Sequence, residues 1–277
     1  MTRSHISEIR ISIVMISLAA WAVGIGGVIP ARAQGGGKEL TVKYIAGVPS
    51  ANQMALQGLE WAPDGKRLSY YHRLGAGPDA RNELWVVDAS NGQHQVLVDS
   101  DKLFSLLPPS NAPQSQATGL GRVQEDQYLW APNGRALLFV SGESLVWFDL
   151  YTQETKTLVT SDSRLADARI SPNGELVSFV RDHNLWVVNI STRKETQVTR
   201  GGNSEFLEGE LDWVYPEELA LHEAYWWSPD SARIAYLEMD ERQVTKYPIV
   251  DFLSYTGAMH TMFYPKAGGA NPIVRVG

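Results

Sequence analysis

A five-residue turn motif recurs four times along the 277-residue chain, and this repetition limits the possible folds more than any other feature. It reads Trp61-Ala-Pro-Asp-Gly65, Trp130-Ala-Pro-Asn-Gly134, Ile170-Ser-Pro-Asn-Gly174 and Trp227-Ser-Pro-Asp-Ser231. The proline fixes φ, the Asp or Asn side chain caps the turn, and the last position tolerates positive φ, so the chain reverses tightly between two strands. Each motif leads into an apolar run: Leu68 to Tyr71, Ala136 to Val140, Leu176 to Val180 and Ile234 to Leu237. Three units continue with a second run ending in a polar residue, Leu84-Trp-Val-Val-Asp88, Leu145-Val-Trp-Phe-Asp149 and Leu185-Trp-Val-Val-Asn189, and then a third, more polar run. Val, Trp, Tyr and Phe alternating with period two predict antiparallel strands. One such sheet cannot bury both faces alone, so neighbours must stack. A β-sandwich would not repeat a turn motif in register. The fold class expected is therefore all-β: a β-propeller of four-stranded antiparallel blades.

The motif starts are unevenly spaced, at 61, 130, 170 and 227. The 40-residue step is one plain blade. The first unit carries a turn-rich insert, Gly75-Ala-Gly-Pro-Asp79, and the 69-residue step contains a Pro/Ser/Asn/Gln stretch, 106–116, that reads as a long loop. The 57-residue step holds a short helical insert near 208–224, and inserts between blade strands are where a rigid scaffold carries binding residues.

Upstream of the repeat, residues 1–33 read as a signal peptide. Arg3 and Arg10 precede a charge-free run from Ile11 to Ala31, helix breakers follow, and Ala31-Arg32-Ala33 has the form cleaved by signal peptidase. The expected product is exported, periplasmic or secreted, and membrane-anchored if the segment is retained. Residues 34–60 form a lead-in and 61–277 the propeller. Gly35-Gly-Gly37 lacks the flanking strand and helix of a phosphate cradle.

Composition narrows the chemistry. A net charge of -7 without a basic run excludes a nucleic-acid partner, and the absence of cysteine excludes disulfides, thiolate zinc sites and cysteine nucleophiles. The six histidines show no zinc spacing, and Asp162, Asp167 and Asp182 no calcium-loop pattern, so neither a metal nor a cofactor is expected.

The insert carries the functional expectation. Pro216-Glu217-Glu218 reads as a helix start, with acidic groups at the positive end of the peptide dipole. Two adjacent carboxylates suit a cation such as an amine. Trp213, Tyr215, Tyr225, Trp226 and Trp227 surround them in sequence, and Trp213 and Tyr215 are candidates for a pocket wall that excludes water.

Asp212-Trp-Val-Tyr-Pro-Glu-Glu218, Tyr225-Trp-Trp-Ser-Pro-Asp230 and Tyr264-Pro-Lys-Ala-Gly-Gly-Ala-Asn-Pro272, in this order, resemble the propeller domain of dipeptidyl peptidase IV and its bacterial relatives. These are serine peptidases of the prolyl oligopeptidase clan, and the resemblance extends more loosely from about Trp61 onward. It implies that Glu217 and Glu218 grip the free α-amine of a peptide, so that dipeptides with Pro or Ala second are removed. The family has Glu where this chain has Pro216. It also implies an arginine from an earlier blade, absent from the expected stretch Val140-Ser-Gly-Glu-Ser144, and a homodimer of the complete enzyme.

The family's nucleophile sits in a Gly-x-Ser-x-Gly elbow of a C-terminal α/β-hydrolase domain, and this chain has no such motif. The expectation is a chain with no catalytic residue of its own, inactive alone: an N-terminal fragment of about half an eight-bladed ring, reaching into a fifth repeat at Gly277. The alternative is a non-catalytic periplasmic propeller that binds protein partners.

Overall fold

The recurring turn motif closes one hairpin in each of the four blade sheets. The computed structural model describes residues 56–75, 80–107, 127–251 and 257–277. The leader, the Gly35–Gly37 segment, most of the 75–79 insert and the Pro/Ser-rich stretch from 108 onward lie outside them. In each turn the fifth residue donates its N–H to the carbonyl of the second, at 2.8–2.9 Å, and the Asp or Asn side chain accepts the amide two residues on. Gly65, Gly134 and Gly174 have φ of 64°, 67° and 74°, and Ser231 takes 61° in the same place.

These hairpins build three antiparallel sheets of four sequential strands. The first blade is β1 (Gln57–Trp61), β2 (Arg67–Leu74), β3 (Arg81–Asp88) and β4 (His94–Val98). The second is β5 (Gln127–Trp130), β6 (Ala136–Ser141), β7 (Ser144–Asp149) and β8 (Thr155–Thr160). The third is β9 (Leu165–Ile170), β10 (Leu176–Arg181), β11 (Asn184–Asn189) and β12 (Glu195–Gln197). Asp88, Asp149 and Asn189, the polar residues ending the second predicted run, shape the next turn by accepting amide N–H groups two or three residues on.

Blades stack because both faces of their central strands are apolar. Every residue of β6 is buried. Leu137 and Phe139 face the first blade, with Leu84 and Val98; Leu138 and Val140 face the third, with Val177 and Phe179. The motif tryptophan has a second role at these seams. Trp130 Nε1 donates at 2.8 Å to Ser69 Oγ, fully buried in β2 of the preceding blade, and the Tyr128 hydroxyl reaches the same oxygen at 2.7 Å. Trp227 Nε1 and Tyr225 OH meet Ser178 Oγ of β10 in the same way, at 2.8 and 3.2 Å. At the seam where the motif begins with Ile170, the preceding blade presents Leu138 instead of serine, and the contact is apolar. A helix that the sequence reading does not contain, α1 (Ser100–Leu106), follows the first blade. It is capped by Asp99, which accepts the Lys102 amide at 2.8 Å, and buries Leu103 and Leu106.

The fourth blade departs from the pattern. Its central strand β15 (Ile234–Asp240) pairs along one side with two short strands, β13 (Phe206–Glu208) and β14 (Tyr225–Trp227), which together occupy the first-strand position. The insert is therefore not a connection between blade strands; it interrupts a single strand. On its other side β15 pairs with β18 (Ile273–Val276), Leu237 opposite Val276. The last strand thus belongs to the fourth blade and starts no fifth repeat. A separate hairpin, β16 (Lys246–Asp251) with β17 (Ala258–Phe263), lies between them in sequence. The described residues form a partial β-propeller.

Candidate functional site

Both ends of the insert are tied to one residue. Gly209 N–H donates to the Leu237 carbonyl at 2.9 Å, and Leu237 N–H donates to the Ala224 carbonyl at 2.8 Å. Residues 210–223 thus leave the sheet and return at the same point of β15, an extreme form of β-bulge.

The entry leg is packed against the third blade. The buried Glu208 carboxylate accepts the amides of Gly201 and Gly202 at 2.6 and 2.9 Å. His183, in the β10–β11 turn, contacts Glu210 Oε2 through Nδ1 at 2.7 Å. Hydrogen bonding to Glu210 is the main cause of the upward shift of the His183 pKa, with burial opposing it. Asp182 and His183 both adopt positive φ, 51° and 61°, which aims the imidazole at the insert.

Beyond Glu210 lies an acidic cluster absent from the sequence reading. Asp212 is 4% exposed; its Oδ1 accepts the Tyr215 amide at 3.2 Å, whereas Oδ2 has no partner. Burial raises its pKa against the pull of the Tyr215 and Val214 amides. Glu241, just past β15 and 6% exposed, is pushed up to about 7, first by burial and then by the charges of Asp212 and Glu210, with His183 opposing. Glu241 lies about thirty positions after Glu210 and Asp212, so no local motif could reveal the cluster. Among the described residues no group of three His, Asp or Glu is placed to hold a metal ion.

Helix α2 (Val214–Glu218) follows. It starts two residues before Pro216, whose missing N–H falls in the first turn, where amides have no helical partner. Trp213 makes no side-chain cap, and the Asp212 carboxylate one residue earlier takes that role. Glu217 and Glu218 end the helix, both exposed, and among the described residues no hydrogen bond or ion pair engages either carboxylate.

The aromatic residues divide. Tyr215 lines an open cleft of about 380 Å³ together with Leu221, His222, Glu223 and Trp226, and neither acid of the pair lines it. Trp213 turns away, its ring 4.6 Å from that of Tyr264. Tyr225 is fully buried, its hydroxyl bonded to the Asp167 carbonyl, and Trp227 is committed to Ser178. The exit leg ends at Glu223, which meets Arg169 Nη1 at 3.0 Å and accepts Trp226 Nε1 at 2.8 Å. The guanidinium is the main cause of the lowered Glu223 pKa.

Residues 140–277 match the family model described as the dipeptidyl peptidase IV (DPP IV) N-terminal region. The chain belongs to the dipeptidyl peptidase IV family. A protein named "Probable dipeptidyl-aminopeptidase B" from Pyrenophora teres f. teres is 37% identical over 150 residues, 48% of this chain and 16% of that protein. Its namesake from Chaetomium globosum is 29% identical over 272 residues, 88% of this chain and 29% of that protein. The crystal structure of Porphyromonas gingivalis dipeptidyl peptidase 4 superposes with a TM-score of 0.61 at 24% identity, over 79% of this chain and 30% of that one, and supports the fold. The chain therefore spans less than a third of the relatives it matches. In this dipeptidyl peptidase IV N-terminal region, the third blade reaches the insert through His183 on the entry leg and through Arg169 of β9 on the exit leg.

Proposed function

We propose that this chain is the N-terminal propeller region of an exported dipeptidyl peptidase IV-like serine exopeptidase, which removes N-terminal dipeptides with Pro or Ala second. Glu217 and Glu218 bind the α-amine of the peptide, with Tyr215 beside them. The hydrolase domain, supplied by sequence outside this chain, performs the acyl transfer. The observation that carries this reading is the state of the pair: two adjacent, exposed carboxylates with no partner among the described residues, on an insert whose two legs are anchored. A protonated amine would satisfy both acids through charge-assisted hydrogen bonds. The leader pattern at 1–33 supports export. The β16–β17 hairpin exposes Val250 and its cross-strand partner Met259 on one face, and we assign this apolar surface to a second copy in a homodimer, testable by sedimentation.

In the complete gene product, Glu217→Gln or Glu218→Gln should lower kcat/KM for free-amine dipeptide substrates by roughly 10- to 100-fold, the worth of one charge-assisted hydrogen bond. N-acetylated analogues should not respond. Equal losses for both substrates would refute amine binding. If the reading frame beyond Gly277 encodes no Gly-x-Ser-x-Gly, the chain is instead a propeller that binds protein partners.

A further inference from the structure

The insert carries little structure of its own. Besides the two backbone bonds at Leu237, its entry side meets the Met239 sulfur of the parent strand through the Asp212 N–H at 3.1 Å and the Tyr264 ring through Trp213, and its helix is five residues long, far below the length at which an isolated helix persists. Those contacts hold the entry side, so the orientation of the exit side depends on side-chain ties to the neighbouring blade. On the exit leg, nearest the acidic pair, the tie is Arg169–Glu223, five residues after Glu218.

Arg169 is itself held firmly. It follows an irregularity in β9, where Asp167 takes φ 47° and the register with β10 shifts between Ser178 and Val180. Its carbonyl accepts Ser178 Oγ at 3.3 Å, and its guanidinium lies 5.1 Å over the ring of fully buried Tyr225. Both Glu223 oxygens are engaged, one by Arg169 and the other by the indole of Trp226.

We propose that Arg169 is a positioning residue: by clamping Glu223 it sets where the insert, and therefore the Glu217–Glu218 pair, stands relative to the third blade. This rests on the amine-binding reading of that pair. The side chains are 26% and 54% exposed, and a solvent-accessible ion pair adds little to global stability, so its loss should shift the insert without unfolding the blade. A binding group displaced by about 1 Å forfeits much of its effect, as much as 10²-fold in rate.

Two measurements test this. In the complete gene product, Arg169→Met and Glu223→Gln should each raise KM for a free-amine dipeptide substrate about 5- to 10-fold with kcat within about twofold, Arg169→Lys should fall between, and the exchanged pair Arg169→Glu with Glu223→Arg should recover to within about threefold. In the 277-residue chain, hydrogen exchange in Arg169→Met should speed up in residues 213–223 and stay unchanged in β9–β11. Unchanged KM and exchange in Arg169→Met would overturn the proposal. A raised KM with unchanged exchange and no recovery in the exchanged pair would also overturn it, because Arg169 would then contact the substrate itself. If Glu217→Gln and Glu218→Gln leave KM unaltered, the amine reading fails, and faster exchange in Arg169→Met still supports the clamp.

Discussion

Glu241 should make this fold lose stability as pH rises towards 8, and replacing it with Gln should remove that loss. Its carboxyl is 6% exposed and its pKa is pushed from an ordinary 4.5 up to about 7 by burial and by the neighbouring charges of Asp212 and Glu210. A raised carboxyl pKa means that the fold favours the neutral acid. Its stabilising contribution is therefore complete below the ordinary value and is lost as pH rises through about 7. The gap of two and a half units, at about 1.4 kcal/mol each, sets a full cost of about 3 kcal/mol. About 1 kcal/mol of this is already present at pH 5, where the unfolded chain is partly ionised. Gln has the shape of the neutral acid and does not titrate. Glu241→Gln should therefore gain about 2 kcal/mol more over the parent protein at pH 8 than at pH 5, a differential rise in Tm of roughly 4–8 °C for a unit of this size. Urea melts and thermal scans at half-unit steps between pH 5 and 8.5 would measure it. A stability difference that is flat across that range, or that favours the parent at pH 8, would refute the reasoning.

Two further outcomes concern the seams and turns. Ser69→Ala removes the oxygen shared by Trp130 Nε1 and Tyr128 OH and strands a half-buried indole N–H, which should cost about 1–3 kcal/mol in urea melts with m unchanged. Ser231 sits at φ 61° where the other turns have Gly, and its Oγ accepts the Asn173 amide at 3.0 Å. Ser231→Ala loses the bond and keeps the strain, for roughly 1–2 kcal/mol, whereas Ser231→Gly exchanges one for the other and should stay within about 0.5 kcal/mol of the parent by thermal melts.

Much of the architecture is legible from single residues because it is local. The Pro-Asp-Gly turns are specified by the φ preferences of adjacent residues, and the three regular blades follow from alternation along each run. Tyr264 to Pro272 could be matched to the family as a motif, yet its contact with Trp213 could not be read, because it joins residues about fifty positions apart. Glu217 and Glu218 were legible as an adjacent pair. His183, Glu210, Asp212 and Glu241 were not, because they meet only when β10, the insert and the end of β15 come together.

The repeated turns and two-residue alternation alone determined that the chain makes four-stranded sheets, since turn geometry and strand pleating depend on neighbouring residues. Tertiary structure decided that the fourth blade's first strand is split, that both legs of its insert meet at Leu237, and which arginine pairs with Glu223 on the exit leg. Those outcomes depend on which distant surfaces can be buried together, a property that no local run of residues encodes.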